Sequence, residues 1–172
     1  MRDLTLKPGD FFATQGKGLI STLINFFQRL WSKDNEARYT HCGLILDPKG
    51  TTLESTIKGT LDSQNLFETY SGIQIFISRY DKLTSELFKR SLEALEKEFG
   101  GEDYPLYRVL LHIFPPLARL HFLGRAVCSE VVAYYLWRIE ARHRWWASTN
   151  PDTLSDEWHK WKDFTTVFEG IL

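Results

Sequence analysis

A predicted hairpin in the first third of the chain constrains the fold more than any other part of the sequence. Residues 40–46 predict a buried strand, and residues 51–57 predict the strand that returns beside it. Between them lie the letters DPKG, which are typical of a tight turn. Two strands joined by so short a turn must be antiparallel, so we expect a mainly antiparallel sheet.

The hairpin also carries an acidic side chain towards a histidine. A turn of either two or four residues gives the same register, in which Gly43 faces Glu54. His41 shares a sheet face with Gly43, so Glu54 becomes its diagonal neighbour on the other strand, roughly 7–8 Å away at the backbone. Gly43 places no side chain between them, and we expect the carboxylate to reach the imidazole. Cys42 points to the opposite face, where a free cysteine is usually a small core residue.

Apolar spacing predicts further elements on both sides of the hairpin. Residues 11–14 predict a short strand and residues 73–78 predict another. Apolar residues at helical spacing predict one helix over residues 21–31 and a second over residues 84–99, which a glycine pair terminates. Helices interspersed with hairpin-type strands indicate an α+β fold.

Size and composition describe an ordinary compact domain. The 172 residues can bury one substantial core and no repeat or linker divides them, so we expect a single domain over residues 1–172. Lys plus Arg number 21 and Asp plus Glu number 22, so the net charge of -1 gives no reason to expect a nucleic-acid partner. The N-terminus lacks the pattern of a secretion signal, which predicts synthesis in the cytoplasm. We expect both cysteines to be free thiols, with a Cys42–Cys128 bridge as the alternative.

Cys128 begins a helix-like run at residues 127–136, far downstream of His41. The thiolate is the nucleophilic form of cysteine, and an unperturbed cysteine, with a pKa of roughly 8.5, is mostly protonated near neutrality. A helix N-terminus and a neighbouring imidazolium both favour the thiolate, and Cys128 is placed to have both. The sequence therefore suggests Cys128 as nucleophile, His41 as base and Glu54 as the residue that orients the base.

Six short motifs occur in an order that resembles one protein family. They are PGD (8–10), YTHCGLI (39–45), LES (53–55), GGEDY (100–104), CSEVV (128–132) and NPDTL (150–154). They are similar to six segments of the circularly permuted NlpC-type papain-like cysteine peptidases. In the same order, these are the opening segment, the histidine strand, the acidic strand, the G-x-x-Y segment, the nucleophile helix and the x-P-x-D-L turn that follows it. That family includes the YiiX-like proteins and, more distantly, the lecithin:retinol acyltransferase-like enzymes.

The resemblance implies a circularly permuted papain-like fold, with helices packed on an antiparallel sheet and the nucleophile at a helix N-terminus. It implies that Cys128 attacks a carbonyl, that His41 protonates the leaving group, and that water hydrolyses the thioester. The Cys128 amide is the expected oxyanion donor. Tyr39 is either a second donor, on the His41 side of the strand, or a packing residue. Tyr104, in the G-x-x-Y segment, is a candidate substrate-binding residue, and no cofactor is expected.

Each of these residues has a plainer interpretation when it is taken alone. A histidine in a strand is more often a structural residue, and a cysteine in an apolar helix is usually core. Metal binding is a further alternative, although zinc-type pairs such as Cys-x-x-Cys and His-x-x-x-His are absent from the sequence. The competent zinc ligands are His41, Cys42, His112, His121 and Cys128.

Three segments have uses that the sequence leaves open. Residues 104–123 are the most apolar stretch, but charged residues and a Pro-Pro pair interrupt it, so we expect no transmembrane span. It is either core or a wall that contacts a substrate acyl chain. Residues 138–146 are either a solvated helix end with its tryptophans folded back, or a contact for phosphates, an anionic surface or a partner protein. Aromatic residues near helical spacing over 158–168 predict a terminal segment packed on the body.

We therefore expect a cysteine hydrolase that cleaves an amide bond, with a cell-wall-type peptide as its leading substrate. One alternative is a lipid ester or amide hydrolase, or an acyltransferase, of the same fold. The other is a non-catalytic binding or virion structural protein. A bacterial or bacteriophage source fits the resemblance. A virion-associated location, with partner-protein or peripheral membrane contact, would reconcile the absent signal with a wall substrate.

Overall fold

A computed structural model gives the fold of the chain. It describes residues 4–16, 22, 25–26, 29, 38–56, 58–101, 103, 126–142, 146–147 and 149–172. Three expectations fall mainly or wholly outside these ranges: the helix at 21–31, the role of Tyr104 and the use of the apolar stretch at 104–123. No helix in the described ranges is long and apolar enough to cross a membrane.

Six strands of the described residues form an antiparallel sheet. They are β1 (Phe11–Thr14), β2 (His41–Ile45), β3 (Thr51–Thr56), β4 (Gly59–Asn65), β5 (Gln74–Tyr80) and β6 (Phe164–Ile171). Their order across the sheet is β4-β3-β2-β1-β5-β6, and every neighbouring pair runs antiparallel. The expectation of an α+β fold with an antiparallel sheet is therefore confirmed, and the hairpin β2–β3 lies beside the central strand β1.

The predicted register of the hairpin is also confirmed, because Gly43 faces Glu54. The turn is fixed by Asp47, whose carboxylate accepts hydrogen bonds from the amide and the hydroxyl of Thr51 at 3.1 and 2.7 Å. Gly50 has a φ of 83°, a left-handed conformation that glycine adopts without a Cβ clash. The turn residues thus hold the two strands in the one register that places Glu54 on the face of His41.

Four helices accompany the sheet in the described residues. They are α1 (Leu66–Thr69), α2 (Ser85–Phe99), α3 (Cys128–Arg138) and α4 (Pro151–Lys160). The side chain of Thr84 caps α2 by accepting a hydrogen bond from the Leu87 amide at 3.2 Å. Asn150 caps α4 in the same way through the Thr153 amide at 2.7 Å. The NPDTL motif therefore begins a helix.

The C-terminal aromatics Trp158, Phe164 and Phe168 pack on the body as expected, but their near-helical spacing does not correspond to a single helix. Trp158 lies in α4, whereas Phe164 and Phe168 belong to β6, which pairs with β5 at one edge of the sheet. The opposite edge strand, β4, was likewise not indicated by its sequence. Edge strands bury little side-chain area, so the apolar alternation that marks a strand is weak in both.

The sheet buries apolar side chains on both of its faces. Along β1 and β2, alternate residues enter different cores, which we call the helix-side core and the outer core. The helix-side core lies against α2, α3 and α4 and includes Phe11, Cys42, Leu44, Phe76, Val132 and Trp158. The outer core includes Leu6, Phe12, Ile45, Leu66, Tyr70 and Ile77. Consecutive residues His41 and Cys42 therefore belong to opposite faces.

Buried polar contacts hold the start of α3 against the sheet. The Ser55 hydroxyl, on β3, donates a hydrogen bond to the carbonyl of Ala126 at 2.9 Å. The Ser129 hydroxyl donates to the carbonyl of Thr149 at 2.7 Å, which ties the same helix end to the segment before α4. The position of Cys128 is thus set from two directions.

We expect Ser55→Ala to lower the free energy of unfolding by about 1–3 kcal/mol, because it leaves the buried Ala126 carbonyl without its donor. Urea denaturation measures this change. Ser63→Ala, at an exposed position of β4, is the matched control and is expected to change stability by less than about 0.5 kcal/mol. Equal losses for the two variants would contradict the anchoring role of Ser55.

Candidate active site

The imidazole of His41 and the carboxylate of Glu54 are in direct contact. His41 Nε2 lies 2.7 Å from Glu54 Oε2, and the Glu54 side chain is fully buried. A Cβ atom at Gly43 would lie 2.7 Å from Glu54 Cγ and 2.8 Å from Phe12 Cε1, so only glycine leaves room for this approach. The expectation that Glu54 reaches His41 across Gly43 is confirmed.

Two hydroxyl groups complete the environment of the buried carboxylate. Thr52 Oγ1 donates a hydrogen bond to Oε1 of Glu54 at 2.5 Å, and the Tyr70 hydroxyl donates to Oε2. The Tyr70 ring also stacks on His41, with centroids 6.1 Å apart. Burial, and then the Glu54 charge, raise the pKa of Tyr70, which keeps its hydroxyl a hydrogen-bond donor.

Tyr70 is a site residue that the sequence reasoning missed. It follows α1, and the contact with Glu54 depends on how α1 folds back on the outer face of the sheet. A tyrosine in the letters ETYSG carries no motif of its own, and no signal in the sequence marks it.

Cys128 and His41 meet where their elements begin. Cys128 is the first residue of α3 and is 6% exposed, and its sulfur is close enough to His41 for the His41 charge to lower the pKa of Cys128. Because Nε2 of His41 is bound to Glu54, Nδ1 is the ring nitrogen available to the sulfur. The imidazole therefore lies between a carboxylate and a thiol, one on each of its nitrogens.

The charges of this group favour a thiolate–imidazolium pair. The hydrogen bond from the Cys42 thiol lowers the pKa of Cys128 most, and the His41 charge lowers it further, so that it lies well below its usual range despite burial. Burial lowers the pKa of His41, but the Cys128 charge and hydrogen bonds to Cys128 and Glu54 outweigh it and raise the pKa to about 10. Near neutral pH this arrangement holds a nucleophilic sulfur beside a proton donor.

Cys42 is a core residue, as expected, but it is also a neighbour of Cys128. It is fully buried in the helix-side core that also contains Cys128, and it is the neighbour that lowers the pKa of Cys128 most. Burial, and then the contact with Cys128, raise the pKa of Cys42 well above its usual value. Both cysteines are free thiols, so the bridge considered as the alternative is not present.

Tyr39 lies elsewhere than expected. Its ring packs in the helix-side core, 6.2 Å from that of Phe76, and its hydroxyl donates to Glu169 at 3.5 Å. Burial, and then the Glu169 charge, raise the pKa of Tyr39 to about 12. The expected placement on the His41 side is wrong, because Tyr39 precedes β2 and the alternation of the strand does not extend to it. Its role as an oxyanion donor stays a prediction.

Buried residues of the basic and aromatic segment at 138–146 pack on the body, whereas Arg138 and Glu140 are exposed. Arg142 is buried, and its Nε donates to Glu157 at 2.9 Å. Trp146 is buried against Phe99, with ring centroids 5.6 Å apart. The expectation that this tryptophan folds back onto the core is confirmed, and Trp145 lies outside the described residues.

One solved structure to which this chain is similar is a crystal structure of "metalloprotein yiiX from Escherichia coli O157:H7, DUF1105". The similarity covers 98% of this chain and 99% of that chain, with a TM-score of 0.59 and 15% sequence identity. The chain has a YiiX-like fold. No protein-family model and no curated protein sequence matches it.

The YiiX protein is called a metalloprotein. Among the side chains that the structure describes, no group of three or more His, Cys, Asp or Glu residues is arranged to hold a metal ion. His41 is already hydrogen-bonded to Glu54 through one nitrogen, and the Cys128 charge raises the pKa of its ring.

We expect Cys128 to be alkylated by iodoacetamide near neutral pH, because its pKa is lowered and the thiolate persists there. His41→Ala removes the cation beside the sulfur and is expected to slow this reaction at least about tenfold, which corresponds to one pKa unit. Peptide mapping by mass spectrometry identifies the labelled cysteine. His159→Ala, on α4, is the matched control, and an equal effect of the two variants would contradict the pairing.

We expect Tyr70→Phe to keep the stacked ring but to remove one donor from the buried Glu54 carboxylate. The free energy of unfolding is then expected to fall by about 1–3 kcal/mol, as measured by urea denaturation. Tyr80→Phe, at a partly exposed tyrosine, is the control for loss of a hydroxyl. A Tyr70→Phe variant as stable as the wild type would show that Glu54 does not need this donor.

Proposed function

We propose that this chain is a cysteine hydrolase that cleaves an amide bond through a thioester. The observation that carries the proposal is the contact series Glu54–His41–Cys128, in which a buried carboxylate binds one nitrogen of an imidazole whose other side faces a thiol of lowered pKa. This is the arrangement that activates a cysteine nucleophile. The proposal includes the circularly permuted papain-like form of the fold, which the order of histidine before cysteine supports.

The reaction follows from the roles that these groups can take. The Cys128 thiolate attacks the carbonyl carbon of the substrate, so that a carbon–sulfur bond forms and the carbonyl oxygen becomes an oxyanion. The His41 imidazolium gives its proton to the leaving nitrogen as the carbon–nitrogen bond breaks. Water, deprotonated by His41, then attacks the thioester, and the acid product leaves with Cys128 restored as the thiolate.

Stabilisation of the oxyanion falls to the start of α3. The first amides of a helix have no intrahelical acceptor, and they point along a dipole that favours negative charge. The Cys128 amide occupies this position, next to the carbon that its own sulfur attacks. Glu54 does not touch the substrate in this scheme, since its carboxylate orients His41 and stabilises the imidazolium.

A cell-wall-type peptide is the leading substrate, on the strength of the resemblance to NlpC-type peptidases. Lipid esters and amides are the second candidate class, through the more distant resemblance to lecithin:retinol acyltransferase-like enzymes. The alternative from a different functional class is a non-catalytic protein that keeps the fold. The lowered pKa of Cys128 argues against this alternative, because a purely structural thiol has no need of a paired imidazolium.

The test is turnover of a defined panel by this chain, with cell-wall peptide fragments and short-chain lipid esters as substrates. We expect hydrolysis of a peptide amide and an acyl adduct on Cys128 detectable by mass spectrometry. Glu54→Gln, which keeps the shape but removes the charge, is expected to lower kcat/KM by about 10²–10⁴-fold. Glu68→Gln, at an exposed carboxylate on α1, is the matched control and should retain activity.

The outcomes separate the alternatives. Turnover confined to lipid esters would assign the second substrate class. No turnover and no adduct with either class, in a protein whose Cys128 is nevertheless alkylated rapidly, would contradict the hydrolase proposal for these substrates and favour the binding class.

A further inference from the structure

We propose that Cys42 is a positioning residue for Cys128, whose thiol and backbone amide both donate hydrogen bonds that hold the Cys128 sulfur as the thiolate. This inference deepens the proposed function and rests on it for its catalytic meaning. It assigns a role to the residue between the histidine and the glycine of the histidine strand, which sequence alternation places in the core.

The backbone of β2 explains why the Cys42 amide is free to serve this purpose. The Leu46 amide donates to the carbonyl of Thr51 on β3 at 2.7 Å. Alternate residues of a strand direct their amides to the same side, so the amide of Cys42 also points towards β3. The paired residues of β2 and β3 end at Gly43 and Glu54, which leaves the Cys42 amide beyond the last pair. There it is placed to donate to the Cys128 sulfur rather than to a strand carbonyl, and the Cys42 amide lowers the pKa of Cys128.

The side chain of Cys42 reaches the same sulfur from the helix side of the sheet. Cys42 faces Ala13 of β1 and is fully buried in the core that also contains Cys128. The Ser55 hydroxyl, on the neighbouring strand, holds the Ala126 carbonyl two residues before Cys128. The helix start is therefore fixed over Cys42 by a contact that does not involve either sulfur.

The surrounding charges decide which of the two thiols ionises. The titratable groups of the described residues that act on the pair are His41, Glu54 and Tyr70. His41 is the cation among them, and it interacts with the Cys128 sulfur directly. Two adjacent buried thiols cannot both carry a negative charge at low cost. Cys42 therefore stays protonated, and its S–H group serves as a hydrogen-bond donor.

Two substitutions at this position separate donation from packing. Cys42→Ser keeps a small side chain with a donor, whereas Cys42→Ala keeps only the backbone amide. We expect Cys42→Ala to move the pH of half-maximal Cys128 alkylation upwards by about one unit, as fits the loss of one weak donor to a charged sulfur. Cys42→Ser should stay close to the wild type. Leu44→Val, in the same core and on the same strand, is the packing control and should leave the profile unmoved.

The experiment uses iodoacetamide on the full chain, with the Cys128 peptide quantified by mass spectrometry across pH and the melting temperature recorded for each variant. A Cys42→Ala profile that coincides with the wild type overturns the inference. So does an equal shift in Cys42→Ser and Cys42→Ala, which would indicate packing alone. Alkylation does not require a substrate, so a shift confined to Cys42→Ala upholds the positioning role even where the turnover panel shows no hydrolysis.

Discussion

The hydrogen bonding of one buried carboxylate is the interaction on which the rest of the site depends. Glu54 is fully buried, and an unpaired charge in such a place costs several kcal/mol. Its oxygens are met by His41 from β2, by Thr52 from its own strand and by Tyr70 from beyond α1. The same contacts that make burial of the carboxylate tolerable also fix the imidazole ring that faces Cys128. Stability and the geometry of the site therefore share their supporting residues.

The site is assembled around the end of the sheet from both of its faces. His41 stands on the outer face with Glu54, while Cys42 lies on the helix side, and Cys128 interacts with both because α3 begins there. A slip of one residue in the hairpin would exchange these faces and separate Glu54 from His41. The steric demand at Gly43 and the hydrogen-bonded turn at Asp47 are thus requirements of the site as much as of the fold.

The sequence predicted those parts of the structure that depend on local pattern. The contact between His41 and Glu54 follows from hairpin parity, and the start of α3 at Cys128 follows from its apolar run. The contacts of Tyr70 and Cys42 were not predictable in this way, because they depend on how α1 and α3 pack on the sheet. The edge strand β6 was obscured for a related reason: its aromatic residues happen to repeat near helical spacing, and only its pairing with β5 makes it a strand.

The central claim is that His41 is an imidazolium paired with the Cys128 thiolate, and NMR of the His41 ring nitrogens as a function of pH tests it most directly. The account predicts that His41 stays protonated until about pH 10. In Cys128→Ala, the protonated form should be lost at a lower pH, because the thiolate charge is gone. A wild-type His41 that loses its proton near its unperturbed pKa of about 6.5, unaffected by Cys128→Ala, would contradict the account.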